Sequence, residues 1–291
     1  MPDKRPYIGR FAPSPTGPLH LGSLCTALAG FLDARSRRGL WLLRIDDLDT
    51  PRTIKGSADS ILKTLDAFAL HWDGRVVYQS QHLDVYHDAL DKLAKNQRLY
   101  PCDCSRKTLD DGRSCACRDR TLPGGTYALR IKTDNRVIAF QDALQGLISY
   151  GFAGQRDDFI LKRKDGIMAY QFAVVIDDEQ QQVNHVVRGV DLLDSTPRQI
   201  YIQQMLGLAT PDYMHAPVIV DEHGYKLSKQ TRAAAVDLKN PQATVFRLLI
   251  LLRQNPPDEL QHAPSTELLD WAIEHWNPAL LKNSQAICQA N

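Results

Sequence analysis

The chain has 291 residues, of which 35 are lysine or arginine and 34 are aspartate or glutamate, so its formal net charge is +1. With so little net charge, the chain cannot attract nucleic acid through its overall electrostatic field. A nucleic-acid partner would therefore have to bind a local basic surface. No apolar run is long enough to span a bilayer, and residues 1–6 lack the apolar core of an export signal. We therefore expect a cytoplasmic protein without a membrane partner. The length allows a catalytic core with one or two smaller modules.

The first predicted unit is a strand, a rigid loop and a helix. Residues 7–11 form an apolar run typical of a buried strand, and a helical pattern begins near Leu19. Between Pro13 and Pro18 the loop contains three prolines and Gly17, which leave the backbone little freedom. This order presents free N–H groups and the positive end of a helix dipole to a phosphate. An ordinary strand-to-helix connection is the alternative, because no glycine-rich phosphate motif supports the loop by itself.

A second buried strand is predicted over residues 40–45, and it ends in the acids Asp46, Asp47 and Asp49. Open α/β sheets place ligands at the carboxyl ends of their parallel strands. A solvated acidic turn is the alternative, and it suits Asp47 and Asp49 better than Asp46. Apolar residues at helical spacing then predict two helices, over residues 56–70 and 83–99.

Four of the six cysteines lie close together, in one Cys-x-Cys pair at Cys102 and Cys104 and another at Cys115 and Cys117. Zn²⁺ takes four thiolate or imidazole ligands in a tetrahedron, and two such pairs across one loop can supply them. Free or disulfide-linked pairs are the alternative, which the expected compartment disfavours. With four cysteine ligands and no open position, the site would be structural.

After the cysteines, residues 118–155 are rich in turns and short alternating strands, which indicates a subdomain inserted into the sheet. A buried strand is predicted over residues 185–193. Thr196, followed by a proline, is predicted to be the N-cap of the next helix. The last strand of the sheet is predicted over residues 216–220.

Lys226 and Lys229 flank Ser228 directly after a predicted turn. Two lysines beside a turn can close over a triphosphate and neutralise the charge that builds up on departing pyrophosphate. Two solvated lysines after a hairpin are the alternative. Residues 245–252 and 268–276 then carry helical patterns.

Two of these motifs carry a family resemblance. Residues 20–23, His-Leu-Gly-Ser, resemble the HIGH element of class I aminoacyl-tRNA synthetases, and residues 226–230, Lys-Leu-Ser-Lys-Gln, resemble their KMSKS element. The sequence around both is similar to the glutamate-specific branch, from about Tyr7 to Gln230. The resemblance implies an α/β fold with a Rossmann-like parallel sheet, an inserted zinc-containing subdomain and a short C-terminal helical region.

The resemblance also implies a division of the chain. Full-length glutamate enzymes of this branch carry a large helical anticodon-binding region after the lysine motif, for which residues 231–291 leave no room, so the chain is similar to a short paralogue. The implied parts are the first half of the catalytic domain (1–101), a zinc-binding, acceptor-like insertion (102–156), the second half of the catalytic domain (157–235) and a short helical region (236–291).

Site residues follow from the resemblance, position by position. Glutamate binding is implied for Arg10, Phe11, Ala12, Pro13, Ser14, Asp46, Tyr170 and Arg188, ATP binding for His20, Gly22, Ser23 and Lys229, and a catalytic role for His20, Lys226 and Lys229. Arg10 and Arg188 would hold the carboxylates of glutamate, a task suited to the planar guanidinium fork. Taken alone, Tyr170 would be a core aromatic and Arg188 a surface arginine.

Two positions depart from the family pattern. The family has a glutamate, which receives the amino group of the amino acid, where this chain has the shorter Asp46, so that contact would be longer or water-bridged. In the zinc pattern, Cys102, Cys104 and Cys117 match, but Arg113 replaces a tyrosine. Cys115 is then the expected fourth ligand.

The implied function is ATP-dependent activation of glutamate to glutamyl-adenylate without tRNA, with Mg²⁺ bridging the phosphates. The glutamyl group would then move to the queuosine base in the anticodon of tRNA(Asp). One alternative is a truncated ordinary synthetase that charges a tRNA 3′ end, and the other is a non-catalytic RNA-binding paralogue. The sequence does not set the oligomeric state, for which a monomer is the expectation.

Overall fold

The computed structural model describes residues 5–105, 115–225 and 235–288. Its strands are β1 (Ile8–Phe11), β2 (Leu40–Ile45), β3 (Val77–Tyr78), β4 (Leu99–Cys102), β5 (Ala128–Ile131), β6 (Val137–Asp142), β7 (Gly146–Gly151), β8 (Phe159–Lys162), β9 (His185–Gly189), β10 (Asp212–Ala216), β11 (Val218–Val220) and β12 (Ala286–Cys288). Its α-helices are α1 (Leu21–Ser36), α2 (Ser57–Ala67), α3 (Leu83–Lys95), α4 (Tyr170–Gln180), α5 (Thr196–Leu206), α6 (Pro241–Leu251) and α7 (Ser265–His275). Within these ranges no helix combines the length and apolar character that crossing a bilayer requires.

The main sheet consists of two groups of strands that meet between β1 and β9. One group has the order β1-β2-β3, all parallel, and the other has the order β7-β6-β10-β9, in which β10 is parallel to both neighbours. Asn184, just before β9, joins them, since its N–H donates to the Ile8 carbonyl (3.0 Å) and its Oδ1 accepts from the Ile8 N–H (2.8 Å). The predicted α/β fold with a parallel sheet is confirmed, with β7 as an antiparallel edge strand.

Helix α1 begins with a capping box formed by His20 and Ser23. His20 Nδ1 accepts from the Ser23 N–H (3.2 Å), and Ser23 Oγ accepts from the His20 N–H (3.1 Å). These bonds satisfy N–H groups that the start of a helix leaves without an intrahelical partner. Residues 24–25 and 27–34 of α1 are buried, because the helix contacts β1, β2, β9 and α7. A rigid start and a buried body hold this helix in a fixed place.

The proline-rich loop between β1 and α1 is anchored by residues that follow β2. The Asp46 N–H donates to the Pro13 carbonyl (3.0 Å). The Ser57 hydroxyl accepts from the Gly17 N–H (2.9 Å) and donates to the Gly17 carbonyl (2.8 Å). Gly17 has a φ of 130°, which residues with a side chain rarely adopt. The loop is therefore stiff by composition and held from outside.

The segment predicted as an insertion contributes to two sheets. Strands β4, β5 and β8 form a separate antiparallel sheet next to the cysteines. The hairpin β6–β7 extends the main sheet, because Asp142 pairs with Tyr213 of β10. Both groups of strands draw on residues 102–156, so the predicted domain limits stay a prediction.

The prediction that Thr196 is a helix N-cap is wrong. Ser195 precedes α5 and makes no side-chain cap bond, and Thr196 is the first helical residue. The Thr196 hydroxyl instead contacts Arg188 and His215 (2.7 and 3.0 Å). The Thr196 hydroxyl therefore bonds to buried side chains of other elements, and not to the backbone N–H groups at the start of its own helix.

The helices predicted near the C-terminus are present as α6 and α7, which pack with α1 in one buried apolar cluster. A second cluster is formed by side chains of α3, α4 and α5 with β10. Strand β12, which was not predicted, pairs in parallel with β11. The lysine motif at residues 226–230 lies outside the described residues.

Candidate active site

A cavity of about 270 Å³ lies at the carboxyl ends of β1 and β9. Its wall also includes the first residues of α1 and α4 and part of β11. The carboxyl ends of parallel strands are where sheets of this kind place ligands. The predicted site residues in this wall are Arg10, Phe11, Ala12, Pro13, Ser14, His20, Gly22, Ser23, Tyr170 and Arg188.

The predicted catalytic residues Lys226 and Lys229 lie outside the described residues. The described chain resumes at Ala235, which forms an antiparallel β-bridge with His20. The next N–H, that of Val236, donates to the Leu19 carbonyl (3.0 Å). The chain from Ala235 onward therefore runs beside Leu19 and His20, two residues of the cavity wall.

Arg188 is 4% exposed and is held by three side chains. Its Nε donates to His215 Nε2 (3.0 Å), its Nη2 to Thr196 Oγ1 (2.7 Å) and its Nη1 to the Tyr170 hydroxyl (3.3 Å). A guanidinium has five N–H groups, so within the described residues one stays available on each of Nη1 and Nη2. Two such donors are the arrangement that binds a carboxylate through both oxygens.

Arg10 is 5% exposed and forms an ion pair with Asp178 of α4. Arg10 Nε and Nη2 contact Asp178 Oδ1 and Oδ2 (3.1 and 3.3 Å). Burial favours the protonated form of Asp178, but Arg10 and Arg44 outweigh it and lower the pKa of this carboxyl. The pair therefore stays ionised, and it fixes one edge of the Arg10 guanidinium while the Nη1 side stays available within the described residues.

Asp46 is not part of the cavity wall. Its Oδ1 accepts from Arg44 Nε (2.8 Å), and Arg44 Nη1 donates to Asp178 Oδ1 (2.7 Å). Burial raises the pKa of Asp46 from 3.8 to about 6, and Arg44 offsets only part of this effect. The Asp46 carboxylate thus belongs to a buried charge network behind the cavity.

Asp191 is an acid in the cavity wall that sequence reasoning missed. It lies three positions after Arg188, just beyond the end of β9. The sequence did contain a signal for Asp191, because this acid closely follows Arg188, which was predicted to bind the substrate. Its carboxylate gives the cavity a group suited to an ammonium.

The raised pKa of Asp46 leads to a prediction on stability. Between pH 4 and 6 the folded protein holds a proton that the unfolded chain has released, so the free energy of unfolding falls as pH rises through this window. Asp46→Asn removes this titration. Its stability relative to wild type should therefore rise by about 1–3 kcal/mol between pH 4 and 7. Urea unfolding at both pH values measures this, with Asp66→Asn on the exposed side of α2 as the control. The prediction would be contradicted if the free energies of unfolding of wild type and Asp46→Asn changed by the same amount between the two pH values.

The four clustered cysteines have the geometry of a zinc site. Their sulfur atoms all lie within 4.8 Å of one another. The Sγ atom of Cys115 lies 3.4 Å from that of Cys102 and 3.6 Å from that of Cys104. The Sγ atoms of Cys104 and Cys117 lie 3.5 Å apart. Zn–S bonds of about 2.3 Å in a tetrahedron place sulfurs about 3.8 Å apart, whereas a disulfide needs about 2.0 Å. The cysteines are free thiols, and the set fits Zn²⁺.

Cys115→Ser should weaken Zn²⁺ binding by at least about tenfold, because loss of even an outer partner of a metal ligand costs that much. The variant should also unfold at a lower temperature, since binding of a structural metal contributes to folding. Chelator competition and thermal unfolding measure the two effects. Cys288→Ser, at an exposed cysteine outside the cluster, is the matched control. Unchanged affinity in Cys115→Ser would remove Cys115 from the ligand set.

Comparison with known proteins agrees with the fold. The chain matches the family model described as tRNA synthetases class I (E and Q), catalytic domain, over residues 8–122 and 114–253. A crystal structure of a glutamate tRNA ligase from Elizabethkingia meningosepticum in complex with its amino acid superposes with a TM-score of 0.81 at 24% identity. That match covers 98% of this chain and 67% of the other. The fold and the family match define a class I aminoacyl-tRNA synthetase, an enzyme of the ligase type.

Relatives with higher identity narrow this class. A glutamyl-Q tRNA(Asp) synthetase of Methylococcus capsulatus is 49% identical over 278 residues, which cover 94% of this chain and 92% of the relative. One of Dechloromonas aromatica is 47% identical over 283 residues, covering 93% of this chain and 94% of the relative. The chain belongs to the glutamyl-Q tRNA(Asp) synthetase family.

Proposed function

We propose that this enzyme activates glutamate with ATP in the absence of tRNA and transfers the glutamyl group to the queuosine base in the anticodon of tRNA(Asp). The proposal rests on the lining of a single cavity. Two buried arginines, Arg10 and Arg188, and the N-terminal end of α1 all contribute to its wall. The names of the relatives support the acceptor. The pairing of two cations with a helix start suits an acidic amino acid next to a phosphate.

Glutamate is proposed to bind through its two carboxylates to Arg10 and Arg188. Protein groups hold part of each guanidinium, and its remaining donors are proposed to bind the ligand. Charge-assisted bonds in this form are strong and directional. The further wall residues proposed to shape the glutamate site are Phe11, Ala12, Pro13, Ser14 and Tyr170.

Two acids are candidates for the ammonium group of glutamate. Family resemblance points to Asp46. Asp191 is proposed as a second candidate, because it lines the cavity and Asp46 does not. A carboxylate in the wall can pair with an ammonium directly, whereas one behind the wall requires a bridging water.

ATP is proposed to bind at the start of α1, through His20, Gly22 and Ser23. The first N–H groups of a helix and its dipole favour a phosphate there. Lys226 and Lys229 are proposed, from the sequence motif, to neutralise charge on the departing pyrophosphate. Mg²⁺ is proposed to accompany ATP, where it would bridge the phosphates with few protein ligands.

The first step of the proposed reaction, adenylate formation, needs no general base. An oxygen of the α-carboxylate attacks the α-phosphorus of ATP, the bond to the β-phosphate oxygen breaks, and pyrophosphate leaves. The nucleophile is already an anion, so the protein contributes positioning and charge stabilisation. In the second step a nucleophilic group of queuosine attacks the glutamyl carbonyl, the bond from this carbonyl to the phosphate breaks, AMP leaves and the proton of the nucleophile passes to solvent.

Zn²⁺ is proposed to have a structural role at Cys102, Cys104, Cys115 and Cys117. When bound, it would tie the end of β4 to the residues at 115–117 and so brace the small antiparallel sheet. Four thiolates leave no position for a substrate on the metal. The reaction in the cavity is therefore proposed to run without it.

ATP–pyrophosphate exchange with glutamate and no RNA tests the proposed activation. Exchange is expected with glutamate and not with glutamine. The side-chain amide of glutamine is uncharged, so it cannot form an ion pair with the second arginine. Absence of exchange without RNA would contradict tRNA-independent activation. It would favour the truncated ordinary synthetase, or the non-catalytic paralogue if RNA does not restore exchange.

A further inference from the structure

Behind Arg188 lies a row of buried polar groups to which the proposed reaction assigns no role. His215 of β10 and Asp142 at the end of β6 are both completely buried. His215 Nδ1 lies 2.6 Å from Asp142 Oδ2, and its Nε2 lies 3.0 Å from Arg188 Nε. The row thus runs across three neighbouring strands from the sheet interior to the cavity wall.

The contacts of His215 determine which ring nitrogen carries the proton. The Arg188 guanidinium has donors and no acceptor, so His215 Nε2 must accept from it. The ring proton is then on Nδ1, where Asp142 accepts it. Burial, together with the positive charge of Arg188, lowers the pKa of His215 despite its bond to Asp142, which favours this neutral form.

The partners of the two cavity arginines differ in charge. Arg10 is held by the ionised Asp178 and is balanced by it. Arg188 is held by a neutral imidazole and by the hydroxyls of Thr196 and Tyr170. Neutral acceptors fix the direction of a guanidinium without cancelling its charge, so Arg188 keeps its charge for a ligand.

We propose that His215 and Asp142 are positioning residues for glutamate binding. Asp142 keeps the His215 proton on Nδ1, and the imidazole then orients Arg188 with its remaining donors and its full charge directed at a carboxylate. The role rests on the proposed function, because it takes Arg188 as a ligand of the substrate.

Asp142→Asn tests this with little change in shape. Asp142 Oδ1 accepts from the N–H groups of Leu144 (3.0 Å) and Gln145 (2.9 Å), so the oxygen of an asparagine should keep that side. Its NH₂ group then faces His215 Nδ1 and donates to it. The ring proton moves to Nε2, against the N–H of Arg188, as when an amide replaces the acid of a catalytic triad.

The expected result has two independent parts. Nitrogen-15 NMR of the histidine rings should show the His215 proton on Nδ1 in wild type and on Nε2 in Asp142→Asn. In pyrophosphate exchange, the KM for glutamate should rise at least about tenfold, while the KM for ATP stays within about twofold. A merely structural role of Asp142 would leave the tautomer unchanged.

Two further variants sharpen the test. His215→Gln retains an acceptor that can reach Arg188, and His215→Leu does not, so the KM for glutamate should be at least about fivefold higher in His215→Leu. The matched control is Asp212→Asn. Asp212 of β10 lies beside His185 of β9, with its Oδ2 3.3 Å from His185 Nε2, and neither residue is in the cavity wall. The control should leave the KM for glutamate within about twofold of wild type.

The outcomes separate this role from the proposed function. If wild type exchanges with glutamate and Arg188→Ala is impaired, an unchanged KM in Asp142→Asn overturns the positioning role alone. A wild-type His215 proton on Nε2 overturns it as well. If wild type does not activate glutamate, or Arg188→Ala binds it normally, the proposed function fails and the positioning role fails with it.

Discussion

Replacing Arg188 with alanine is expected to raise the KM for glutamate about 100-fold and to leave the KM for ATP within about twofold. The variant removes a buried cation that offers two donors to one carboxylate, and loss of such a partner costs about 3 kcal/mol. The ligand carboxylate would then face His215, which as an acceptor cannot replace the lost bonds. Pyrophosphate exchange at varied glutamate and ATP concentrations measures both constants.

Two controls accompany the Arg188 experiment. Arg188→Lys keeps the charge but loses the planar fork, so its effect should be intermediate. Arg75→Ala removes an arginine at an exposed position outside the cavity wall and should behave like wild type. An Arg188→Ala enzyme with a normal KM for glutamate would show that the carboxylates bind elsewhere.

Replacing His20 with asparagine is expected to lower the kcat of exchange about 100- to 1,000-fold with little loss of stability. His20 has two tasks, since its Nδ1 caps α1 while its ring lines the proposed ATP site. Asparagine is a good N-cap residue, so it preserves the first task and removes the ring. The loss of a preorganised group at the phosphates accounts for the expected size of the effect.

Comparison with His20→Ala separates the two tasks. Alanine removes both the cap and the ring, so it should lower kcat as asparagine does and also lower the free energy of unfolding by about 1 kcal/mol. Urea unfolding and exchange kinetics on the two variants measure this. If His20→Asn turned over at the wild-type rate, His20 would be a cap and nothing more.

Local patterns predicted the parts of the fold that are locally determined. The apolar run before Pro13 and the helical spacing after Leu19 predicted β1 and the start of α1 within about two residues, because prolines and periodicity act over a few positions. Most wall residues were predicted by family resemblance, which no local pattern replaces. The four cysteines were visible from spacing alone, and they do converge.

The support behind the cavity could not be predicted, because its partners are distant in sequence. Asp178 is 168 residues from Arg10, and Asp142 is 73 residues from His215. Only the folded sheet brings such pairs together. For Asp46 a local signal existed, since Arg44 is two positions earlier and side chains at this spacing share a strand face. That geometry explains why Asp46 pairs with Arg44.

The most direct test of the proposed function is ATP-dependent transfer of labelled glutamate to tRNA(Asp) with and without queuosine, with glutamate tRNA assayed in parallel. We expect label on queuosine-containing tRNA(Asp) and background levels on the other two tRNAs. Label on glutamate tRNA, or equal label on both forms of tRNA(Asp), would contradict it.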